Sequence, residues 1–353
     1  MIIDLVGLDL GGIMSIKKIT ALLLAGALMF TALTGCGANA EDTVATLGEE
    51  KVSFGVTNFL MQYQKAAVED MYAAYGMSWD LDMYGNGVTL EEDFKGSAMQ
   101  LLHDLYTLKN HMDDYGVEIT AEDEAAIKEA ASAFIAANSA DAIEEMGAKQ
   151  EIVEEVLYLY TIQAKMYEAI IADTNREVSA EEANMRGYSI VTIDLAGKYD
   201  ESYNYVEYTD AEVAVLKESA NRMSELLKEK SLEDAAKEVG FEVTTDAYGK
   251  NDTALNKDIL TALDGLKEGE VSNMIETESA LYFVRIDKDT DETATEANRQ
   301  SIIAQREAAL YEKVLEDWQA EDGWTVDEAM VDKVDFHNIL TQVKESAENT
   351  ESE

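Results

Sequence analysis

From Phe59 to Ile170 the apolar residues of this chain recur at helical spacing. From Tyr188 they fall into short alternating runs, and from Thr295 the helical spacing returns. Ahead of the first helix, Val44-Ala-Thr-Leu-Gly-Glu-Glu-Lys-Val predicts a small strand and turn. Phe59, Tyr63, Ala67, Met71 and Ala74 form the first helical stripe. Thr89 with Glu92 predicts a capping box for the next helix, whose stripe is Leu90, Phe94, Leu101, Leu105, Leu108 and Met112, and Gly116 ends it. Thr120 caps an alanine-rich third helix, and Ile152, Val156, Leu159, Met166 and Ile170 line a long fourth.

The alternating region has its own order. Ser179 with Glu182 predicts one short helical turn, and Tyr188–Ile193 is β-branched and reads as a strand. Asp194–Tyr208 reads as a Tyr- and Asp-rich loop. Thr209 with Glu212 caps a helix to about Glu229, and Ser231 starts a shorter one that ends at Gly240. Phe241–Thr245 reads as a strand, Tyr248-Gly-Lys as a turn, and Asn256–Leu263 as a short helix. A hairpin closes the region, one run opening at Val271 and the other spanning Leu281–Ile286. The last helix, Thr295 to about Ala320, carries Ile303, Leu310, Val314 and Trp318 on one side; Asp327–Val343 is a short tail element. The fold class is therefore mainly α with an inserted α+β domain of order β-α-α-β-α-β-β. The expected boundaries are 44–185 for the first helical part, 186–290 for the insert, 291–343 for the helical return and 344–353 for a polar, disordered end.

Composition narrows the function. The chain has 353 residues, room for two domains, and 47% of them are hydrophobic, as in folded proteins. Asp plus Glu outnumber Lys plus Arg by 72 to 27, a net charge of −45. Such a surface repels phosphate backbones, so no nucleic-acid partner is expected, and charge alone does not recruit it to anionic lipids. Solubility is the plainest consequence of the charge. Proline is absent, although average usage would give roughly 18. Slow X-Pro isomerisation therefore cannot limit the folding of this chain.

The one cysteine bears on location. Met14-Ser-Ile-Lys-Lys precedes the 15-residue apolar run Ile19–Leu33, which is too short to span a bilayer and reads as a secretory signal over 1–35, with Met14 a candidate initiator. Leu33-Thr-Gly-Cys36 then resembles the bacterial lipobox, which implies lipidation at Cys36 and a tether over 36–43. Cleavage after Ala38-Asn-Ala40 is the alternative. Two acyl chains suffice for stable anchoring where one is marginal, so the expectation is an extracytoplasmic, membrane-anchored protein of the Gram-positive type.

The inserted region resembles the parvulin-type peptidyl-prolyl isomerase domain. Ser231-Leu-Glu-Asp-Ala-Ala-Lys-Glu-Val is similar to the parvulin helix written FAELAKEY, Leu266-Lys-Glu-Gly-Glu-Val-Ser to its KLKKGEVS turn, and Leu281–Ile286 to its terminal YHIIKV strand. The flanks resemble the PrsA and SurA foldases. Gly48-Glu-Glu-Lys-Val with Phe59 is similar to their NGE-x-I…F opening, and Leu101–Gly116 with Val117-Glu-Ile-Thr and Glu122 to their helix ending in YGV-x-V-S-x-E-E. The resemblance implies a membrane-anchored foldase whose terminal helices form a chaperone lobe around a parvulin-like domain. Unfolded or newly exported polypeptides would be its partners. Active parvulins place one histidine in the first strand and one in the last; Ser189 and Tyr282 hold those positions here. The loop that supplies a catalytic Asp or Cys is shortened to about Thr244–Ala247, with Asp246 the nearest carboxylate, and the proline-cradling apolar positions fall on Leu255 and Ile259. Both histidines are thus replaced, which leaves isomerase activity open.

Other candidate chemistry is weaker. Asp287-Lys-Asp-Thr-Asp-Glu begins like a calcium loop but lacks Gly at its sixth position and Glu at its twelfth, so an acidic linker into the next helix is expected. His103 and His111 stand two turns apart, too far for one metal, and neither a metal nor a cofactor is expected. Residues 59–84 are rich in methionine and aromatics; the first part reads as core, whereas Tyr75, Met77, Trp79, Met83 and Tyr84 read as a client-contacting loop. Three readings remain: a chaperone on a degenerate parvulin scaffold, an active isomerase with an unusual polar set, and a non-catalytic binding or scaffolding lipoprotein. A solute-binding protein would show alternating βα units, which this chain lacks.

Overall fold

The computed structural model describes residues 38–200, 202–250 and 252–338, with the backbone of 27–30 and 340–343. Cys36, the position expected to be lipidated, most of the expected signal segment and residues 344–353 lie outside the described residues. Strand β1 (Ala27–Phe30) pairs antiparallel with the last strand, Leu340–Val343. The chain divides into two units, residues 1–174 with 307–353, and residues 175–306.

In the first unit the two ends of the chain share a sheet. Strands β2 (Thr43–Leu47) and β3 (Glu50–Ser53) turn at Gly48, whose φ of 61° suits a residue without Cβ. A third strand, Trp324–Val326, joins the other edge of β2 in antiparallel register, Thr325 opposite Thr46 with their hydroxyls 2.7 Å apart. Four long helices pack beside it. Helix α1 (Phe54–Ala74) is capped by the Ser53 hydroxyl. Helix α2 (Leu90–Asn110) starts with the expected Thr89–Glu92 capping box, and α3 (Ala121–Ala137) has a second, Thr120–Asp123. A short helix, α4 (Ala140–Glu145), leads to α5 (Gln150–Ile171). Gly55 permits close packing at the start of α1, because a Cβ there would lie 2.6 Å from Ile152 Cδ1.

The core runs through Phe59, Leu60, Leu102, Phe134, Val153 and Leu159, with Phe59 and Phe134 edge to face at 5.5 Å. Leu108, Ile162, Met166 and Ile170 meet Tyr311 and Leu315 in a second cluster, which brings the end of the last long helix into this unit. The α1 stripe differs from expectation. Phe59 is buried and Tyr63 partly so, but Ala67, Met71 and Ala74 face solvent, while Lys65, Ala66, Glu69 and Tyr72 face inward. A strict four-residue step advances about 40° too far per turn, so that stripe leaves the buried face within three steps.

The inward polar positions are covered by the C-terminal segment. Met330, Val331, Val334 and Phe336 are buried, so the segment 330–336 forms part of the core rather than a tail. Lys65, with no exposed side-chain surface, bonds Glu69 and donates to the Asn338 carbonyl. Burial holds its ammonium below the usual lysine range, against the opposing pull of Glu69. Phe336 packs edge-on to Trp79 and Phe94 at 5.0 and 5.5 Å.

The second unit is a four-stranded antiparallel sheet flanked by helices. A short helix, α6 (Ala180–Ala183), capped by Ser179, leads into β4 (Met185–Asp194). Next come the small strands β5 (Gly197–Tyr199) and β6 (Tyr205–Glu207), then α7 (Asp210–Leu226) with its Thr209–Glu212 capping box. Helix α8 (Leu232–Val239), capped by Ser231 and closed by left-handed Gly240, is followed by β7 (Thr244–Gly249) and α9 (Lys257–Gly265). Strands β8 (Ile275–Glu276) and β9 (Ala280–Lys288) precede α10 (Glu292–Gln319). The sheet order is β7-β4-β9-β8.

Three sequence-based expectations shift here. The Asp194–Tyr208 loop contains the β5–β6 ribbon. The strand expected at Phe241–Thr245 begins at Thr244 instead: after the Gly240 cap, Phe241 bonds back to Ala236, and the ladder with β4 starts only at Ile190–Thr244. Tyr248 is therefore a strand residue, and Thr244–Ala247 is part of a paired strand rather than a shortened loop. Finally, Val271 makes a single bridge to Arg285, and the regular pairing of that run waits until Ile275.

Phe336→Ala is expected to destabilise the first unit by about 3–5 kcal/mol, whereas Phe336→Leu should cost roughly a third of that. Denaturant unfolding of the full chain measures both. An alanine variant within about 1 kcal/mol of wild type would show that the C-terminal segment does not complete the core.

Candidate functional site

The candidate residues of the second unit lie in or beside its sheet, and their placement follows from the alternation of side chains along each strand. In β4, Val191 and Ile193 join Leu281 and Phe283 of β9 beneath α7 and α8, packing on Ala220, Met223, Leu232 and Ala236. Tyr188 and Ile190 point the other way, joining Tyr248, Val284 and Ile286 beneath α9, with Ile259 and Leu263.

Ser189 belongs to the α7/α8 face. It is 1% exposed, its hydroxyl donates to Asp287 at 2.6 Å, and Arg285 Nη2 donates to that hydroxyl at 3.1 Å. Arg285 also bonds Asp287 at 2.6 Å and Glu233 of α8 at 2.9 Å. The hydrogen bond from Arg285 holds the Glu233 carboxyl well down, at about 2, and the same partners raise the guanidinium. This closed polar cluster ties α8 to the sheet.

Tyr282 belongs to the opposite face. It pairs with Thr192 of β4 and Ile275 of β8, and it is half-buried in the cluster that contains Leu255 and Ile259. The two positions expected to replace the histidines are thus not brought together; the sheet lies between them. The structure does unite Tyr282 with Leu255 and Ile259, the two positions expected to cradle proline. Asp246, exposed in β7, stands directly opposite Tyr188, so it shares the α9 face as well.

Tyr188 is the residue that sequence reasoning missed. It is buried edge-to-face against Tyr248, and burial, reinforced by Asp246 and Asp252, pushes its phenol up to about 12. Its hydroxyl therefore stays protonated through the physiological range, a donor facing a carboxylate. Parity was the available signal: Val191 and Ile193 are two and four residues from Ser189, so all three must share a face. Helix α9 is held over this face by Arg186, which donates to Tyr248 Oη at 2.9 Å and to the Leu263 and Leu266 carbonyls at 3.0 and 2.8 Å. Those carbonyls lie at the helix end, where backbone acceptors lack intrahelical partners. The resulting face has an apolar part (Ile190, Leu255, Ile259, Ile275), three tyrosines (Tyr188, Tyr248 and Tyr282) and, beside them, Asp246, Asp252 and Asp264.

Residues 197–299 match the PPIC-type PPIASE domain. The second unit carries a PPIC-type PPIASE domain. The match starts at Gly197, beyond β4, and covers less than half of the chain. No curated protein matches the sequence. Among solved structures, the chain is similar to the foldase PrsA of Lactococcus lactis, at 16% identity over 82% of this chain and 96% of that one, with a TM-score of 0.31. It is also similar to the peptidylprolyl isomerase PrsA of Bacillus cereus, at 16% identity over 84% and 98%, with a TM-score of 0.30. A third is a SurA-like chaperone of Campylobacter jejuni, at 11% identity over 82% and 99%, with a TM-score of 0.29. The architecture is the expected one, a mainly helical lobe interrupted by a parvulin-like domain.

The remaining candidates are in the first unit or at the start of α10. Tyr75, Met83 and Tyr84 are exposed, as are Met71 and Leu81. Met77 is partly buried, and Trp79 is held by Tyr72, Phe94 and Phe336 at 5.0 to 5.2 Å, so it anchors the loop that presents the others. His103 stacks on Trp324 and bonds Asp322 at 2.6 Å; His111 stacks on Trp318 and bonds Asp114. Asp80, Glu91 and His337 each bring one ligand atom within 4.8 Å of the others, but Glu91 is paired with Lys95. The acidic run at 287–292 is consumed locally: Asp287 bonds Ser189, Asp289 bonds Arg186, and Asp291 accepts from Ala294 at the start of α10.

Because the folded Glu233 carboxyl titrates near 2 rather than 4.5, its bond to Arg285 contributes fully above about pH 4.5 and is lost as pH falls towards 2. The wild-type stability curve is therefore expected to drop more steeply across that window than the curve of Glu233→Gln. Denaturant titrations at pH 5, 4, 3 and 2.5 compare them, and parallel curves would remove Glu233 from the cluster that holds α8.

Proposed function

We propose that this chain is an extracytoplasmic foldase that binds non-native polypeptides, its parvulin-type domain serving mainly as a binding module. The match of residues 197–299 to the PPIC-type PPIASE domain carries the reading. Its substrate face is the α9 side of the sheet. There Ile190, Leu255 and Ile259 floor a site for a prolyl ring, and Tyr188 and Tyr282 offer hydroxyls to the neighbouring amides.

Rotation about an X-Pro bond must overcome the loss of amide resonance, a barrier of about 18–20 kcal/mol. A catalyst lowers it by holding the twisted amide out of water with donors already aimed at it. The Tyr188 phenol, held neutral by burial and by nearby acids, donates weakly, and Ser189, spent on Asp287 and Arg285 across the sheet, adds nothing to this face. Slow turnover with intact client binding follows. The exposed group of Met71, Tyr75, Leu81, Met83 and Tyr84 in the helical lobe supports transient apolar contact with clients.

A protease-coupled proline tetrapeptide assay, run beside aggregation suppression of a proline-free client, tests this. Suppression is expected to be strong and to fall several-fold when Tyr75, Met83 and Tyr84 are changed together to serine. Turnover is expected to be weak, reduced further by Tyr282→Phe and unaffected by Ser189→Ala. Fast turnover that Ser189→Ala abolishes would overturn the assignment of the face, and absence of suppression would overturn the chaperone reading.

The location rests on the apolar run before Cys36 and its resemblance to a lipobox. Mass spectrometry of the protein from membranes is expected to find a lipid-modified Cys36 as the first residue. An unmodified mature N-terminus at Glu41 would instead indicate ordinary secretion.

A further inference from the structure

The β5–β6 ribbon is more exposed than its composition accounts for. Tyr199, Tyr203 and Tyr205 are 70%, 88% and 50% exposed, and Val206 is exposed beside them. Large aromatic side chains placed in water without covering anything are uncommon on a solvated loop. The described residues of the ribbon nevertheless make contacts of their own. Tyr199 and Tyr205 pack edge to face at 5.5 Å, and the Asp200 carboxylate accepts from the Ser202 and Asn204 amides across the turn. Asp194 accepts from the Ala196 amide where the ribbon begins.

Residues 194–210 hold four tyrosines and five carboxylates against one lysine. That lysine, Lys198, already lies over the Tyr208 ring at 5.4 Å. Beyond burial, the carboxylates of Asp194 and Glu207 act on the Tyr205 phenol and raise it, so aromatic faces and negative charge occupy the same patch. Tyrosine faces and carboxylates both attract cations, the first through the ring quadrupole and the second by charge. The placement of Lys198 over Tyr208 shows the same pairing within the chain itself.

We propose that this ribbon is a docking surface for polypeptide segments of net positive charge, in which lysine or arginine side chains lie over Tyr199, Tyr203 and Tyr205 between Asp194 and Glu207. This rests on the foldase reading and adds a client preference to it. A chain of net charge −45 draws basic segments and repels acidic ones, and the ribbon gives that general field a local contact. A charge field alone discriminates by sign; exposed rings add affinity that persists when salt screens the field.

Full-length protein is titrated into two fluorescent 15-residue peptides of equal apolar content, one lysine-rich and one glutamate-rich, at 50 and 300 mM salt. The lysine peptide is expected to bind at least tenfold tighter at low salt. The pair Tyr199→Ser with Tyr203→Asn removes two exposed rings, and asparagine accepts the positive φ of residue 203. It is expected to weaken the lysine peptide about five- to tenfold at both salt concentrations. Glu207→Gln is expected to weaken it at low salt only. Equal binding of the two peptides by the wild type overturns the client preference, and so does a ring variant that keeps full affinity. In either case, retained suppression of client aggregation leaves the foldase reading standing; that reading fails only if suppression is absent.

Discussion

Strand β4 is hydrogen-bonded on both sides, to β7 and to β9, and the sheet unit depends on which way each of its side chains points. A central strand cannot slip by one residue without exchanging its two buried faces. Here the exchange would place Val191 and Ile193 against α9 and turn Tyr188 and Ile190 towards α7 and α8, against cores shaped for the opposite arrangement. The register is therefore fixed by packing, and with it the separation of Ser189 from Tyr282. One face received a closed ionic cluster and became structural. The other kept an apolar cluster with Tyr188, Tyr248 and Tyr282 within it and became the candidate site.

The helical unit meets a different constraint. A lysine and a glutamate face inward on α1, and charges there are tolerated only when paired and hydrogen-bonded. The partners come from the far end of the chain: Asn338 accepts from Lys65, and Phe336 seats against Trp79 and Phe94. The same segment follows the strand that completes the sheet on β2. The inward charges make this closure specific, because only a segment with acceptors in the right places can cover them. Trp79, held in that cluster, also fixes the base of the loop that carries the exposed Tyr75, Met83 and Tyr84.

The two exposed aromatic groups differ in chemistry. Residues 71–84 combine methionine with aromatics, a flexible apolar surface that accommodates varied partners. The β5–β6 ribbon combines tyrosines with carboxylates and is held by Asx-type hydrogen bonds, a surface that by the docking proposal selects by charge. A foldase that handles clients of unrelated sequence gains from both kinds of contact, one for collapsed apolar stretches and one for basic, extended ones.

Local rules determined much of this protein from sequence alone. The capping residues Ser179, Thr89, Thr120, Thr209 and Ser231 each start the helix they were expected to start, because an N-cap satisfies backbone amides of its own first turn. The stripes of α2 and α5 and the turn at Gly240 were legible for the same reason, as was the helical lobe interrupted by an α+β domain. What depended on distant partners was not legible. The inward turn of Lys65, the burial of Phe336 and the strand at Trp324–Val326 all require residues hundreds of positions away. Of the candidate site residues, Leu255, Ile259 and Tyr282 fall in one cluster, while Ser189 lies on the other face of the sheet. Similarity of sequence located the strand to within a residue, but a side chain's face changes with every residue. Only the packing of α7 and α8 against one side and α9 against the other decided that Tyr188, and not Ser189, shares a face of the sheet with Tyr282.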